Sequence, residues 1–180
     1  MVITSDNRHL FAIGLGGNLR QFNIQNLTEI KNYGSIFFDG FESDVKSMAI
    51  TKNNKYLFIG SNDGHLIQYN IRTQKLNKNY GQTNVLINHM KISIDDRYLF
   101  IAGGYGKLKQ YDIKQQIEYK NYNNFFTNIR IFGIDLTKCH QYLFIGGDNG
   151  CLKQLDIKSQ KEVKDYEYVT KGHVQALIVT

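Results

Sequence analysis

The sequence predicts an all-β fold made of four tandem copies of one four-stranded antiparallel unit, and three observations predict it. The first is a recurring stretch: "GNLRQFNI" from Gly17, "GHLIQYNI" from Gly64, "GKLKQYDI" from Gly106 and "GCLKQLDI" from Gly150. The second lies upstream, as "HLFAIG" from His9, "YLFIGS" from Tyr56, "YLFIAG" from Tyr98 and "YLFIGG" from Tyr142. The third lies downstream, where "KNY" ends at Tyr33, Tyr80 and Tyr122 and "KDY" ends at Tyr166. The glycines are 47, 42 and 44 residues apart and the tyrosines keep the same intervals, so the landmarks drift together as parts of one repeated unit.

Each unit opens on an apolar segment, strand a: "VKSMAIT" from Val45, "INHMKIS" from Ile87 and "IFGIDLT" from Ile131, with "VQALIVT" from Val174 repeating it once more. The "YLF" segment is strand b and the stretch after the glycine is strand c. Both are short, rich in β-branched and aromatic residues, and bounded by Gly, Asn and Asp, which supply turn geometry. The segment ending in the landmark tyrosine is strand d. In the second unit the predicted strands are 45–51, 56–60, 65–71 and about 75–80, and no stretch sustains helical periodicity.

Side chains alternate along strand c, so Leu66, Gln68 and Asn70 share one face while Ile67, Tyr69 and Ile71 share the other. Gln21, Gln68, Gln110 and Gln154 therefore sit beside a core leucine in every unit. A buried amide without a partner costs about 1–3 kcal/mol, so each Gln is expected to meet a fixed partner on a neighbouring strand or unit, as a structural position. A set of four ligand-binding amides is the alternative.

The 180 residues, 42% hydrophobic and 13% aromatic, suit one domain, 1–180, with a core of ordinary size. The units fall at approximately 1–44, 45–86, 87–130 and 131–173, and residues 174–180 form a surplus strand. No run approaches the roughly 18 apolar residues of a membrane helix, and the N-terminus lacks a basic start followed by a long apolar stretch, so the expected compartment is the cytoplasm, or the nucleus. Cys139 and Cys151 have no metal or redox spacing. The net charge of +6 admits anionic partners, but the basic residues are spread along the chain.

No catalytic residue, cofactor-binding residue or metal ligand emerges. "GLGG" at Gly14 and "GGYGK" at Gly103 lack the spacing and the following helix of a phosphate-binding loop. His9, His65, His89, His140 and His173 fall at unrelated places in the repeat, and Asp95-Asp96 lies between strands a and b, where carboxylates cap their own backbone. Without a nucleophile and base that can be placed together, an enzyme reading has no residues to name.

Four short antiparallel strands per unit of about 40–45 residues is the pattern of a WD-repeat (WD40) β-propeller blade, and the chain resembles that family over essentially its whole length. Tyr111-Asp112 stands where the family has Trp-Asp, as do Phe22-Asn23, Tyr69-Asn70 and Leu155-Asp156. Gly172-His173 resembles its Gly-His, and Asp63 the Asp of its strand b to strand c turn. The repeats diverge: there is no Trp, and the turn Asp becomes Gly16, Tyr105 and Asn149 elsewhere. The resemblance implies a non-enzymatic scaffold for protein–protein interactions, part of a larger propeller or assembly, with no cofactor.

The connection from strand d to strand a varies most between units. The first, "GSIFFDGFESD", carries an insertion with Phe37, Phe38 and Phe41, and the third carries Phe125 and Phe126. Aromatic side chains on loops over a rigid scaffold anchor partners, or else fold down to cap the blades. The alternative function is anion binding, to nucleic acid or phosphoinositide, through Arg20, Lys107, Lys109 and Lys153. A homodimer formed by strand exchange at 174–180 is a further expectation, which a monodisperse monomer in solution would exclude.

Overall fold

The computed structural model describes residues 1–38, 41–42, 44–122, 126 and 129–179, with side chains for all of these except Leu15, Phe37, Phe38, Phe41, Glu42 and Asn149. Two compact units emerge from the chain's own contacts, Met1–Asn84 and Val85–Thr180. In the first, β1 (Val2–Ile3), β2 (His9–Ile13), β3 (Asn18–Asn23) and β4 (Thr28–Ser35) form a four-stranded sheet in that order. A two-stranded hairpin follows, β5 (Phe37–Phe38) and β6 (Phe41–Glu42). The second four-stranded sheet is β7 (Val45–Ile50), β8 (Tyr56–Ser61), β9 (His65–Asn70) and β10 (Lys75–Gln82).

The second unit repeats the plan. One sheet runs β11 (Ile87–Ile92), β12 (Tyr98–Gly103), β13 (Leu108–Asp112) and β14 (Ile117–Asn121). The other runs β15 (Ile131–Leu136), β16 (Tyr142–Gly147), β17 (Cys151–Asp156) and β18 (Lys161–Tyr168). Every pairing is antiparallel between sequential neighbours, as in β12 with β13, where Tyr98 opposes Asp112 and Phe100 opposes Gln110. The four sheets coincide with the four sequence repeats, and their strands a to d follow the expected order.

Burial explains the strand compositions. Strands b and c lie inside each sheet, and in the second and third sheets they are covered on both faces, so "YLFIGS" and "HLIQYN" read as near-continuous buried runs. In the second unit Phe100, Leu108, Ile131, Ile134, Leu143, Ile145 and Leu155 form one core, and in the first Phe11, Leu19, Ile36, Leu57, Ile59 and Ile67 form another. Each such side chain contributes about 1.5–3 kcal/mol by leaving water. Strand d is the exposed outer edge. There Lys31, Lys78, Lys120 and Lys164 stand opposite Gln21, Gln68, Gln110 and Gln154, and each outer strand carries a bulge. Charged side chains and bulges keep such an edge from pairing with another chain.

The turn between strands a and b is built the same way four times. A Ser or Thr hydroxyl (Thr4, Thr51, Ser93, Thr137) accepts the backbone N–H of the first residue of strand b, His9, Tyr56, Tyr98 or Tyr142. The residue before the last of each turn, Asn7, Asn54, Asp96 or His140, takes φ of 56–57°. In each unit this residue of the second sheet also staples the first: Ser5 N–H donates to Asn54 Oδ1 at 2.8 Å, and Ile94 N–H to His140 Nε2 at 2.9 Å.

Residues 174–179 form no strand, contrary to expectation. They lie against the inner strand β15, with Gln175 O and Ala176 Cα beside Gly133, Val174 N–H bonded to Gly147 O, and Val179 N–H bonded to Asp135 Oδ2 at 2.7 Å. Val179 is 44 residues after Asp135, which is 44 after Lys91, and Lys91 Nζ sits 2.5 Å from Asp135 Oδ1. The segment thus packs on β15 much as β11 does. Inner strands β11 and β15 pack side by side without a ladder, and no described segment pairs with 174–179.

Asp135 links these elements. Burial raises its carboxyl pKa, but the Lys91 ammonium and the N–H groups of Val179 and Leu136 outweigh burial and hold it below the ordinary carboxylate value. Its contribution is therefore present above the unfolded value, near pH 4, and is lost as pH falls through the folded value. Asp135→Asn is expected to lower stability by about 1–2 kcal/mol at pH 7 and by much less at pH 3, because half-exposed Lys91 is screened by water. Urea denaturation of both proteins at the two pH values measures the difference.

Candidate interaction surface

The recurring Gln is resolved by one bond repeated in all four sheets. The strand d tyrosine donates its hydroxyl to the amide oxygen of the strand c glutamine: Tyr33 to Gln21 at 2.9 Å, Tyr80 to Gln68 at 2.9 Å, Tyr122 to Gln110 at 2.7 Å and Tyr166 to Gln154 at 2.9 Å. Gln21, Gln68 and Gln110 are buried, and Gln154 is half-buried. Burial raises the Tyr122 phenol well above its ordinary value, and burial with the neighbouring Tyr69 pushes Tyr33 up to about 12, so both remain donors through the physiological range. These amides tie strand c to strand d inside their own sheets and offer no ligand a convergent set of groups.

The recurring Gly has an equally local cause. Gly17, Gly64, Gly106 and Gly150 take φ of 72°, 95°, 66° and 75°, the left-handed region that favours glycine. A Cβ on Gly106 would lie 1.4 Å from the Phe126 carbonyl oxygen, and one on Gly150 would lie 2.0 Å from that of Thr170. The turn before strand c and the segment after strand d therefore touch backbone to backbone.

Three of the four cations considered for anion binding are neutralised within their sheets. Arg20 pairs with Glu29 at 3.3 Å, Lys109 with Glu118 at 2.7 Å, and Lys153 with Glu162 at 2.9 Å and Asp165 at 2.8 Å. The glutamate pairs each join strand c to a strand d residue nine positions on, where the second repeat places Ile67 and Leu76 instead, and Asp165 adds a second carboxylate twelve positions from Lys153. Lys107 is half-buried at the start of strand c.

Ser61, Asp63 and His65 are the residue types of a hydrolytic triad, but their geometry locks a turn. Ser61 Oγ donates to Asp63 and accepts the His65 backbone N–H, while Asp63 Oδ1 lies 3.1 Å from His65 Nδ1. The hydroxyl is engaged by the carboxylate rather than by the imidazole, and Ser61 is fully buried, so no base stands ready to activate an accessible nucleophile.

What differs between repeats lies at the end of the sheets that bears the strand b to c turns and the strand d to a connections. Phe37 and Phe38 form β5, and Phe41 opens β6, with Phe38 opposite Phe41 and Phe37 opposite Glu42. A hairpin therefore stands where sequence reasoning placed an irregular loop. The side chains of Phe37, Phe38 and Phe41, and the whole of Phe125, lie outside the described residues. Phe126 is 1% exposed and belongs to the core beside Tyr122 and Leu108, so it caps its sheet instead of facing a partner. Its carbonyl at Gly106 explains this, because the tight backbone approach draws the segment inward. Sequence reasoning missed Tyr105. It is 72% exposed at φ 58°, a conformation bulky residues avoid, and its counterpart Gly16 takes φ 75° without that penalty. The available signal was a large aromatic side chain in a position reserved for Gly, Asp or Asn.

Among the described residues no helix is long and apolar enough to cross a membrane. Residues 34–70 match the family model described as WD domain, G-beta repeat. Among solved structures, the chain is similar to the β-propeller domain of Cps50 (Swd1) from Myceliophteria thermophila, with a TM-score of 0.81 and 12% identity, covering 99% of this chain and 58% of that one. It is also similar to hydrazine synthase of Kuenenia stuttgartiensis, with a TM-score of 0.77 and 14% identity, covering 91% of this chain and 47% of that one. The chain thus spans about half the length of either. No curated protein matches it.

Proposed function

From a chain with a WD repeat at residues 34–70 on a β-propeller fold, we propose a non-enzymatic scaffold that holds protein partners in the cytoplasm or nucleus, as part of a larger propeller or assembly. The observation that carries this reading is the β5–β6 hairpin. Four sheets share one set of internal bonds, whereas only the first connection among the described residues builds an extra element, and that element contributes Phe37, Phe38 and Phe41. Variation confined to a surface connection over a repeated framework is how binding sites are placed on rigid scaffolds. Within residues 85–180, the exposed, strained Tyr105 marks the strand b to c turn of its own sheet as a position held open for contact. Anion binding through Arg20, Lys109 and Lys153 is disfavoured by their carboxylate partners.

The test is quantitative interaction profiling of the tagged chain in its own cells, comparing the wild type with the triple variant Phe37→Ser, Phe38→Ser, Phe41→Ser. The expected result is selective loss of a defined set of proteins with no change in thermal unfolding. An unchanged set would remove the hairpin from the proposal.

A further inference from the structure

The turns joining strands a to b and c to d project from the opposite end of the sheets, and in residues 1–84 this end is strongly basic. Arg8, Lys52, Lys55, Arg72 and Lys75 are all exposed there. The carboxylate among them, Asp6, accepts Thr4 Oγ1 at 2.6 Å and Arg8 N–H at 3.1 Å and also feels the Arg8 charge, while Lys55, Arg72 and Lys75 lie at the other turns. Nearby Glu29 is held by Arg20. By contrast, the other end of the second sheet carries Asp63 and a paired Lys46–Asp44.

Hydrogen bonds fix the basic turns relative to one another. Ser5 Oγ donates to Lys52 O at 2.7 Å and Ser5 N–H to Asn54 Oδ1, Ile71 N–H donates to Lys55 O at 3.0 Å, and Lys31 Nζ donates to Gln74 O at 3.3 Å. The last bond brings strand d of the first sheet to the strand c to d turn of the second.

One residue on this end breaks the repeat. Leu27 takes φ 55° and is 86% exposed, where the other three copies have Gln74, Gln116 and Gln160 at φ 55–58°. A large aliphatic side chain is thus held in water, in a backbone conformation it disfavours.

We infer that this end of residues 1–84 is a docking surface for an acidic protein segment that also carries aliphatic side chains. Its carboxylates meet Arg8, Lys55, Arg72 and Lys75, and an apolar residue covers Leu27. Charge complementarity selects an anionic partner and the exposed leucine selects a polypeptide. A single-stranded nucleic acid would instead need open aromatic faces for its bases, and the Tyr56 ring here is occupied by the Lys55 ammonium, 4.9 Å from its centroid. This surface is separate from the hairpin of the proposed function and does not depend on it.

Fluorescence anisotropy on the full chain tests the inference with three labelled probes of equal charge: a short peptide alternating Asp, Glu and Leu, an all-Glu peptide, and a thymidine oligonucleotide. The mixed peptide is expected to bind tightest. Arg72→Glu with Lys75→Glu should weaken it about tenfold or more, and Leu27→Gln about threefold. The latter installs the residue the other copies carry, so folding is not at risk. Equal binding of all three probes, an affinity unmoved by Leu27→Gln, or no binding at all would overturn the inference. So would a matching loss in Phe37→Ser, which would move the peptide to the hairpin.

Discussion

Gly106→Ala is expected to destabilise the protein by about 2–4 kcal/mol, the combined cost of a left-handed alanine and an overpacked contact. At φ 66° the new Cβ would point into the Phe126 carbonyl, which is backbone and cannot rotate away. Gly34→Ala provides the comparison, because Gly34 has φ 76° but nothing within 4 Å of its Cβ position. It should cost only the conformational part, about 1–2 kcal/mol. Urea midpoints of the two variants separate strain from steric contact. Equal losses would mean that the approach of the Phe126 backbone does not restrict this position.

Tyr122→Phe is expected to cost about 1–3 kcal/mol, although it removes a single oxygen. The loss would come from Gln110, which is 1% exposed and would keep its amide oxygen in the core without the Tyr122 donor. Adding Gln110→Met, of similar shape, should recover most of it, since removing both members of a buried polar pair leaves no desolvated group behind. A double-mutant cycle by denaturation reads the coupling directly. Additive effects of the two substitutions would show that the bond contributes little.

The repeat, the order of its strands and the turn glycines were legible because each depends on local chemistry that returns at a fixed interval. The partner of the glutamine was not. Gln110 stands opposite Lys120 in the ladder, and Tyr122 lies two residues further along, on the far side of Lys120 from the bulge. Alternation assigns Gln110 a face, but directly opposed and diagonal strand d residues all come within reach of that face, and the sequence does not say which of them bonds the amide. Phe126 was misplaced for a related reason. Its position after strand d resembles that of any loop aromatic, and its burial follows from the approach of its carbonyl to a turn 20 residues earlier in the chain. Residues 174–179 have the apolar pattern of strand a, but a strand is a relation between two hydrogen-bonded segments, and among the described residues none pairs with them.

The Tyr–Gln bond closes over 12 residues in every sheet and never reaches from one sheet to the next. Each copy therefore carries its own lock. A duplication or deletion in the coding sequence that removes or adds a whole repeat leaves no amide stranded, whereas one that cuts between the glutamine and its tyrosine strands one at once. Copy number in such a lineage can drift by whole units while the boundaries of the unit stay fixed, and internal self-similarity would persist long after the residues around the lock have diverged.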